Sequence, residues 1–356
     1  MRIRPILPYF MFAAAVVLAH GIFAWTNTTY YLTQLTMSAF YTLVVVGLCL
    51  LMGYAGQISI GHAAFFALGG YISARLTTLD LSAFPNSPVA QLFMRTGLTV
   101  SAQNLYGQTI SYIHPLLALL LSVAASALIA FLIGMPVLRL RGHYLAMATL
   151  GFGVIVYRFV LGTEFLGGAD GISDVPALGL LPGVKIEGGM ASRVQNYYAA
   201  CGLLLAGAFL VANLVKSRMG RAIRSIHGNE EAASAMGIPV ARYKLYLFVL
   251  SAVYASLAGV FLTHYNGGIG PSEAGIMKSV RYVALLAVGG MGSLWGGIIA
   301  GLTLNFLSLR GYFGTYDDAV FGAILVIVML FSQKGMAGLS KYSGFRKRKE
   351  ASHGPA

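Results

Sequence analysis

The chain has 356 residues, 57% of them hydrophobic and only 10% charged, against about 25% charged in an ordinary soluble domain. Its 24 Lys and Arg and 11 Asp and Glu are too few to cover a water-facing surface, which excludes a soluble fold and turns most of the surface toward lipid. Cys49 and Cys201 sit in apolar runs with no Cys or His at partner spacing, so neither a disulfide framework nor a metal site is indicated.

The first apolar run, 6–26, follows a basic start and precedes no small-x-small cleavage site, so it is predicted as a retained helix. Further spans of about twenty residues are predicted at 31–52, 58–79, 115–138, 145–162, 197–215 and 245–265, and shorter ones at 280–290, 296–309 and 316–332. About ten transmembrane helices place both termini on one side. Sixteen Lys and Arg fall on that side, from Arg2, Arg4, Arg139 and Arg141 through the loop 216–244 to the tail. Six fall opposite: Arg95, Lys185, Arg193, Lys278, Arg281 and Arg310. Cytoplasmic loops hold the excess of Lys and Arg, so both termini are predicted to be cytoplasmic. The fold class is therefore all-α and polytopic, with one membrane domain over 1–332 and a basic cytoplasmic tail over 333–356. The stretches 80–114 and 163–196 are read as external excursions. The net charge of +13 follows from topology and the anionic inner leaflet, without nucleic acid.

Between the second and third spans the sequence breaks into GYAGQISIGH, residues 53–62. Backbone breaks inside a bilayer are tolerated only where protein or a water-filled cavity supplies hydrogen bonds. Gly53 and Gly56 permit unusual torsions, and Gln57, Ser59 and His62 supply polar groups, so the break is read either as lining a translocation path or as a tight cytoplasmic turn. A second break, GGMGSLWGG, carries Gly289, Gly290, Gly292, Gly296 and Gly297, as a hinge or a close helix contact. The external loop TEFLGGADGISDVP carries Glu164, Asp170 and Asp174.

Chemistry is otherwise sparse. There is no GxxxxGK[ST] phosphate loop, no HExxH and no GxSxG, and Arg75 and Arg158 are the only charges predicted within the seven longer spans. A proton- or sodium-driven carrier holds ionisable groups at depth, so energy is expected from elsewhere. The loop KSRMGRAIRSIHGNEEAASAMGIPVARYK, 216–244, could receive it. Asn229 can cap a short helix whose first turn carries Glu230 and Glu231, and Gly237 can close it in the left-handed conformation before Pro239. About seven residues are too few to be helical alone in water. The expectation is a coupling helix docked in a cytoplasmic partner, with Ala232, Ala233 and Met236 entering the cleft and Arg221 and Arg224 flanking it.

Glu231-Ala232-Ala233 followed by Gly237 resembles the loop motif of ABC-importer permeases. GYAGQISIGHAAFFALGGY, LRLRGHYLAMATLGFG, GGADGIS, GRAIRSIHGNEEAASAMGIPVARYKLYLF and AVGGMGSLWGG together resemble the branched-chain amino acid permease family, in its M-type subunit. The wider importer loop continues toward I-x-L-P, whereas IPVARYKLYLF follows here, so the maltose-importer fold is not implied. The ten-span count is closer to the vitamin B12-importer arrangement. The resemblance implies a non-enzymatic permease subunit of a bacterial inner-membrane importer for Leu, Ile and Val. It implies a homologous permease, two cytoplasmic ATPases that bind ATP and Mg, and a periplasmic solute-binding protein facing Glu164, Asp170 and Asp174. It implies no cofactor or metal in this chain. Urea, short amides or aromatic acids on the same machinery, and a stand-alone carrier or channel, stand as alternatives.

Overall fold

The computed structural model describes residues 7–80, 82, 99–103, 109–140, 142–181 and 183–331. Arg2, Arg4, Arg95, Arg141 and the basic tail 333–356 lie outside the described residues, as does most of 80–114.

Among the described residues twelve α-helices carry the fold: α1 (Leu7–Trp25), α2 (Tyr31–Leu48), α3 (His62–Thr78), α4 (Pro115–Val137), α5 (His143–Gly162), α6 (Arg193–Lys216), α7 (Arg218–Gly228), α8 (Glu230–Ala235), α9 (Val240–Asn266), α10 (Ile276–Gly289), α11 (Leu294–Leu309) and α12 (Asp317–Phe331). Each of the ten predicted spans falls on one of them. Six are long and apolar enough to cross a membrane: α1, α2 with its extension to Tyr54, α4, α5, α6 and α9. The helices α3, α10, α11 and α12 have 17, 14, 16 and 15 residues. At 1.5 Å per residue these reach roughly 21–26 Å, short of a hydrocarbon core of about 30 Å. The chain is a multi-pass membrane protein.

The two stretches predicted as external depart from the all-α expectation, with two small hairpins among the described residues. In one, β1 (Thr99–Gln103) pairs antiparallel with β2 (Thr109–Ile113), Thr99 opposite Ile113. In the other, β3 (Leu178–Leu181) pairs with β4 (Val184–Ile186) across an irregular register at Gly179.

The helix α2 is the centre of the molecule. Nearly all its residues from Ser38 onward are buried, whereas α1 has no buried residue and lies at the periphery. Polar side chains inside α2 satisfy themselves locally: Thr36, Ser38 and Thr42 each donate to the carbonyl four residues back, at 2.6–2.7 Å. Around α2 pack α3, α9, α10 and α11, and α6 closes one side. The helices α3 and α9 run parallel and are joined at two levels. His62 Nε2 and Ser251 Oγ hydrogen-bond at 2.7 Å, and Ser73 Oγ and His264 Nε2 at 2.8 Å. Between these bonds the backbones touch, since a Cβ at Gly259 would overlap the Phe66 carbonyl. Close approach through small residues is how helices associate in lipid, where apolar burial gives no driving force.

Candidate coupling and translocation sites

The 53–62 break lies at the end of the bundle that carries α7 and α8. The helix α2 widens into a π-helical turn over Cys49–Tyr54, and the chain then runs non-helically to α3. Gly56, at φ +68°, lies against the His227 imidazole of α7, where a Cβ would come within 2.6 Å of Nδ1. Along 55–59 burial alternates. Gln57 and Ser59 turn inward and Gly56 and Ile58 outward. The inward groups meet four elements. Ser59 Oγ and His62 Nδ1 bond at 3.1 Å, His62 Nε2 reaches Ser251 on α9, Ile60 N donates to Thr149 Oγ1 on α5 at 3.0 Å, and Ala63 N donates to Ser279 Oγ on α10 at 3.1 Å. The Gln57 amide is buried with neither its oxygen nor its nitrogen paired among the described residues. A buried amide normally finds partners, so Gln57 is the unsatisfied member of an otherwise bonded break.

The two glycine-rich breaks meet. A Cβ at Gly53 would overlap the Met291 carbonyl, and the Cys49 thiol faces the same oxygen at 3.6 Å. Gly289 and Gly296 pack backbone against backbone, and a left-handed Gly290 turns the chain between α10 and α11. Gly292 is open, and Gly297 makes ordinary contacts with Val45 and Leu286.

The loop helix forms as its sequence dictates. Asn229 Oδ1 accepts from Glu231 N at 2.9 Å and Ala232 N at 3.0 Å. At the other end Gly237 takes φ +81°, Gly237 N donates to Ser234 O at 2.9 Å and Ile238 N to Ala233 O at 3.1 Å, a complete Schellman closure. The helix spans Glu230–Ala235, one residue shorter than predicted. Its faces differ from the expectation in one respect: Ala233 is buried against its own chain, while Ala232 is exposed and Met236 is 83% exposed. The Arg224 guanidinium donates to Val215 O at 2.7 Å, capping α6, and Arg221 is exposed. Glu230 pairs with Lys244, the fifth residue of α9, whose side chain is buried. A cavity of about 730 Å³ lies between α8, the end of α4 and the start of α9, lined by Arg139, Glu231, Ser234 and Lys244 among others. Ala233 and the Glu230–Lys244 pair therefore hold α8 over open space.

At the other end of α9, Glu164, Asp170 and Asp174 are all exposed. Their loop is strapped to the segment after α9: Ile172 and Ile269 exchange backbone bonds of 3.0 and 2.9 Å, and Val175 N donates to Gly267 O at 3.0 Å. His264 Nδ1 and Pro176 O lie 2.7 Å apart, and Arg75 stacks 4.1 Å over the Phe165 ring.

One cluster was not read from the sequence. Lys278, placed by sequence in an external loop, lies with Glu273 beside Tyr41, the eleventh residue of α2. Lys278 Nζ donates to Glu273 Oε1 at 2.9 Å and to Tyr41 Oη at 3.2 Å, and Tyr41 Oη donates to Glu273 Oε1 at 3.1 Å. The expectation that Arg75 and Arg158 alone are charged within the spans is thereby corrected, because Lys278 falls inside α10 and the segment 267–275, with Glu273, packs against α3 before α10 begins. The signal was present in GIGPSEAGIMKS, a glycine- and proline-broken stretch like the other two. Among the described residues no group of three or more His, Cys, Asp or Glu could hold a metal ion.

Residues 30–329 match the model of a family described as branched-chain amino acid transport system, permease component. The chain is 29% identical over 327 residues to the high-affinity branched-chain amino acid transport system permease protein LivM of Salmonella typhimurium, covering 86% of this chain and 69% of that protein. It is 26% identical over 328 residues to the permease protein LivH of Escherichia coli, covering 87% and 96%. A shorter likeness, 32% over 145 residues, covers 38% of this chain and 45% of the ribose import permease protein RbsC of Bacillus subtilis. The M-type resemblance agrees with the higher identity to LivM than to LivH. No solved structure matches the chain.

Proposed function

We propose, since the chain belongs to the branched-chain amino acid transport permease family, that it is the M-type permease subunit of a binding-protein-dependent ABC importer for Leu, Ile and Val. The observation that carries this reading is the link between the loop helix and the 53–62 break. From α8, one route runs through His227 to Gly56. Another runs through Glu230 and Lys244 along α9 to Ser251 and His62. A helix of about 40 Å at 1.5 Å per residue, α9 then reaches the acidic external loop through His264. One rod thus joins a cytoplasmic receiver, a polar break and an external face.

In this mechanism two cytoplasmic ATPases, which bind the ATP and Mg, close on Ala232 and Met236 and displace α8 with the start of α9. The displacement reaches Gly53, Gly56, Gln57, Ser59 and His62, which line the translocation route formed with a homologous permease. Gly289, Gly290, Gly292, Gly296 and Gly297 serve as packing or hinge positions where the second break abuts the first. A periplasmic binding protein delivers solute over Glu164, Asp170 and Asp174. The arrangement sits in the bacterial inner membrane with ten crossings and both termini cytoplasmic, nearer the vitamin B12-importer plan than the maltose-importer plan.

The test is uptake of labelled leucine by cells with the gene deleted, complemented by the intact chain or by Glu231→Lys, together with co-purification of ATPases. Rescue by the intact chain, with loss in the Glu231→Lys variant at equal membrane amount, is the expected result. Unchanged uptake in that variant overturns the coupling assignment, and absence of any co-purifying ATPase turns the reading to a stand-alone carrier.

A further inference from the structure

The exposed side of α6 carries a groove outside the coupling path. Gly202, Ala206, Phe209, Asn213 and Lys216 recur at spacings of three and four, on one stripe of the helix, and with Tyr9 of α1 they line a cavity of about 630 Å³. The stripe runs about 21 Å at 1.5 Å per residue, more than half of a hydrocarbon core of about 30 Å. Its polarity is graded, apolar from Gly202 to Phe209 and polar at Asn213 and Lys216. With 24 residues α6 is about 36 Å long, so Lys216, its last residue, sits at the boundary between hydrocarbon and water. The chain does not fill the apolar end: a Cβ at Gly202 meets nothing within 4 Å, and Ala206 and Phe209 are exposed. At the polar end lies a second cavity of about 370 Å³, and Tyr9 and Lys216 line both. Ser293, Leu294 and Trp295, the start of the 16-residue helix α11, also line it. An ammonium and the positive end of a helix dipole around one small cavity are features that bind phosphate. Neither lining holds an acid, and among the described residues no carboxylate pairs with Lys216. Arg218 and Arg221, both exposed on α7, follow it within five residues.

We propose that this groove holds one anionic phospholipid of the phosphatidylglycerol class, with an acyl chain along Gly202, Ala206 and Phe209 and its phosphate between Lys216 and the start of α11. Free phosphate leaves the apolar groove empty, and a zwitterionic lipid brings its own cation beside Lys216, so the anionic lipid is the occupant that matches both ends. Tyr9 and Trp295, whose rings meet edge to face at 5.1 Å, stand at the boundary as interfacial aromatics do. A lysine that only marks the end of a span needs neither the groove nor the helix start beside it. The small cavity is also lined by Tyr54, which ends the π-helical turn before the first glycine-rich break, and by Gly292 of the second. The bound headgroup therefore braces α6 against both breaks. The site goes beyond the transport reading and does not depend on which solute is carried.

The test is photolabelling of the full chain, purified with its partner proteins, by phosphatidylglycerol that carries a diazirine in one acyl chain, with the labelled peptides located by mass spectrometry. Label is expected on α6 between Gly202 and Phe209. Unlabelled phosphatidylglycerol should displace it about tenfold better than phosphatidylcholine, the scale of one lost hydrogen bond to a charged group, and inorganic phosphate should not displace it. That comparison needs no variant. Lys216→Gln is expected to lower labelling about tenfold and to abolish the headgroup preference. Ala206→Leu fills the groove and keeps the charge, so it lowers labelling by lipids of either headgroup. Both positions are exposed, and both variants should keep the normal unfolding temperature. Labelling that ignores headgroup and Lys216 identifies ordinary boundary lipid and overturns the site. Absence of label from α6 means that a protein partner covers the groove and overturns it as well. Displacement by inorganic phosphate reduces the site to one for a free anion and overturns the lipid assignment.

Discussion

His62 Nε2 and Ser251 Oγ lie 2.7 Å apart and fasten the first turn of α3 to the middle of α9. His62 is fully buried, and its other ring nitrogen meets Ser59 within the break. Ser251→Ala leaves one imidazole nitrogen buried without a partner. The expected cost is about 1–3 kcal/mol, read as a lower unfolding temperature of the purified protein. An unchanged unfolding temperature would show that water replaces the hydroxyl and that the two helices are held by shape alone.

Gly53 and Gly292 belong to the two glycine-rich breaks but differ in what surrounds them. A Cβ at Gly53 overlaps the Met291 carbonyl, whereas Gly292 has nothing within 4 Å. Neither break can yield without parting the other, so Gly53→Ala is expected to cost roughly 3 kcal/mol and to reduce accumulation in the membrane. Gly292→Ala is expected to accumulate normally. Size-exclusion profiles of fluorescently tagged variants in detergent separate the two, and equal profiles would mean that the breaks do not press on each other.

The loop helix was legible in the sequence because its determinants are local. Asn229, the two glutamates and Gly237 specify a start and a stop within nine residues, and Asn229 and Gly237 make the cap bonds that their chemistry calls for. Which face would be free was not legible: burial of Ala233 depends on how α8 lies against the rest of the chain. The Glu273–Lys278 pair was illegible for the same reason at longer range. Tyr41, which bonds both of its members, is 232 residues away from Glu273. Hydropathy places charges at the ends of spans and cannot show a segment that turns back into the bundle. The ten predicted spans all found helices, but four of them are shorter than 18 residues, because an apolar window does not fix where a helix starts and stops.

The caps of α8 give a graded perturbation of the loop proposed to couple. Asn229→Ala removes two accepted N–H bonds and is expected to cost about 1 kcal/mol. Gly237→Ala forces a side chain into φ +81° at roughly 1–2 kcal/mol. Both losses fall on a six-residue helix and leave the membrane bundle untouched. Uptake should therefore fall in both variants while the global unfolding temperature shifts little. A large drop in unfolding temperature with normal uptake would make α8 a structural brace.

Glu230 and Lys244 share one ion pair but not one environment. The Lys244 side chain is 6% exposed and that of Glu230 34%. Removing the carboxylate strands a buried ammonium, so Glu230→Gln is expected to cost about 3 kcal/mol or more. Lys244→Met leaves a carboxylate that water can reach and is expected to cost about 1 kcal/mol. The double variant strands neither charge and should recover most of the stability, which a double-mutant cycle on unfolding temperatures measures. Transport should not recover with it, because the pair is the ionic tie between α8 and α9, and a neutral pair no longer pulls the rod when the loop helix moves. If leucine uptake in the double variant returns in step with stability, the pair holds α8 in place but carries no motion. The route through His227 and Gly56 would then be the one that couples.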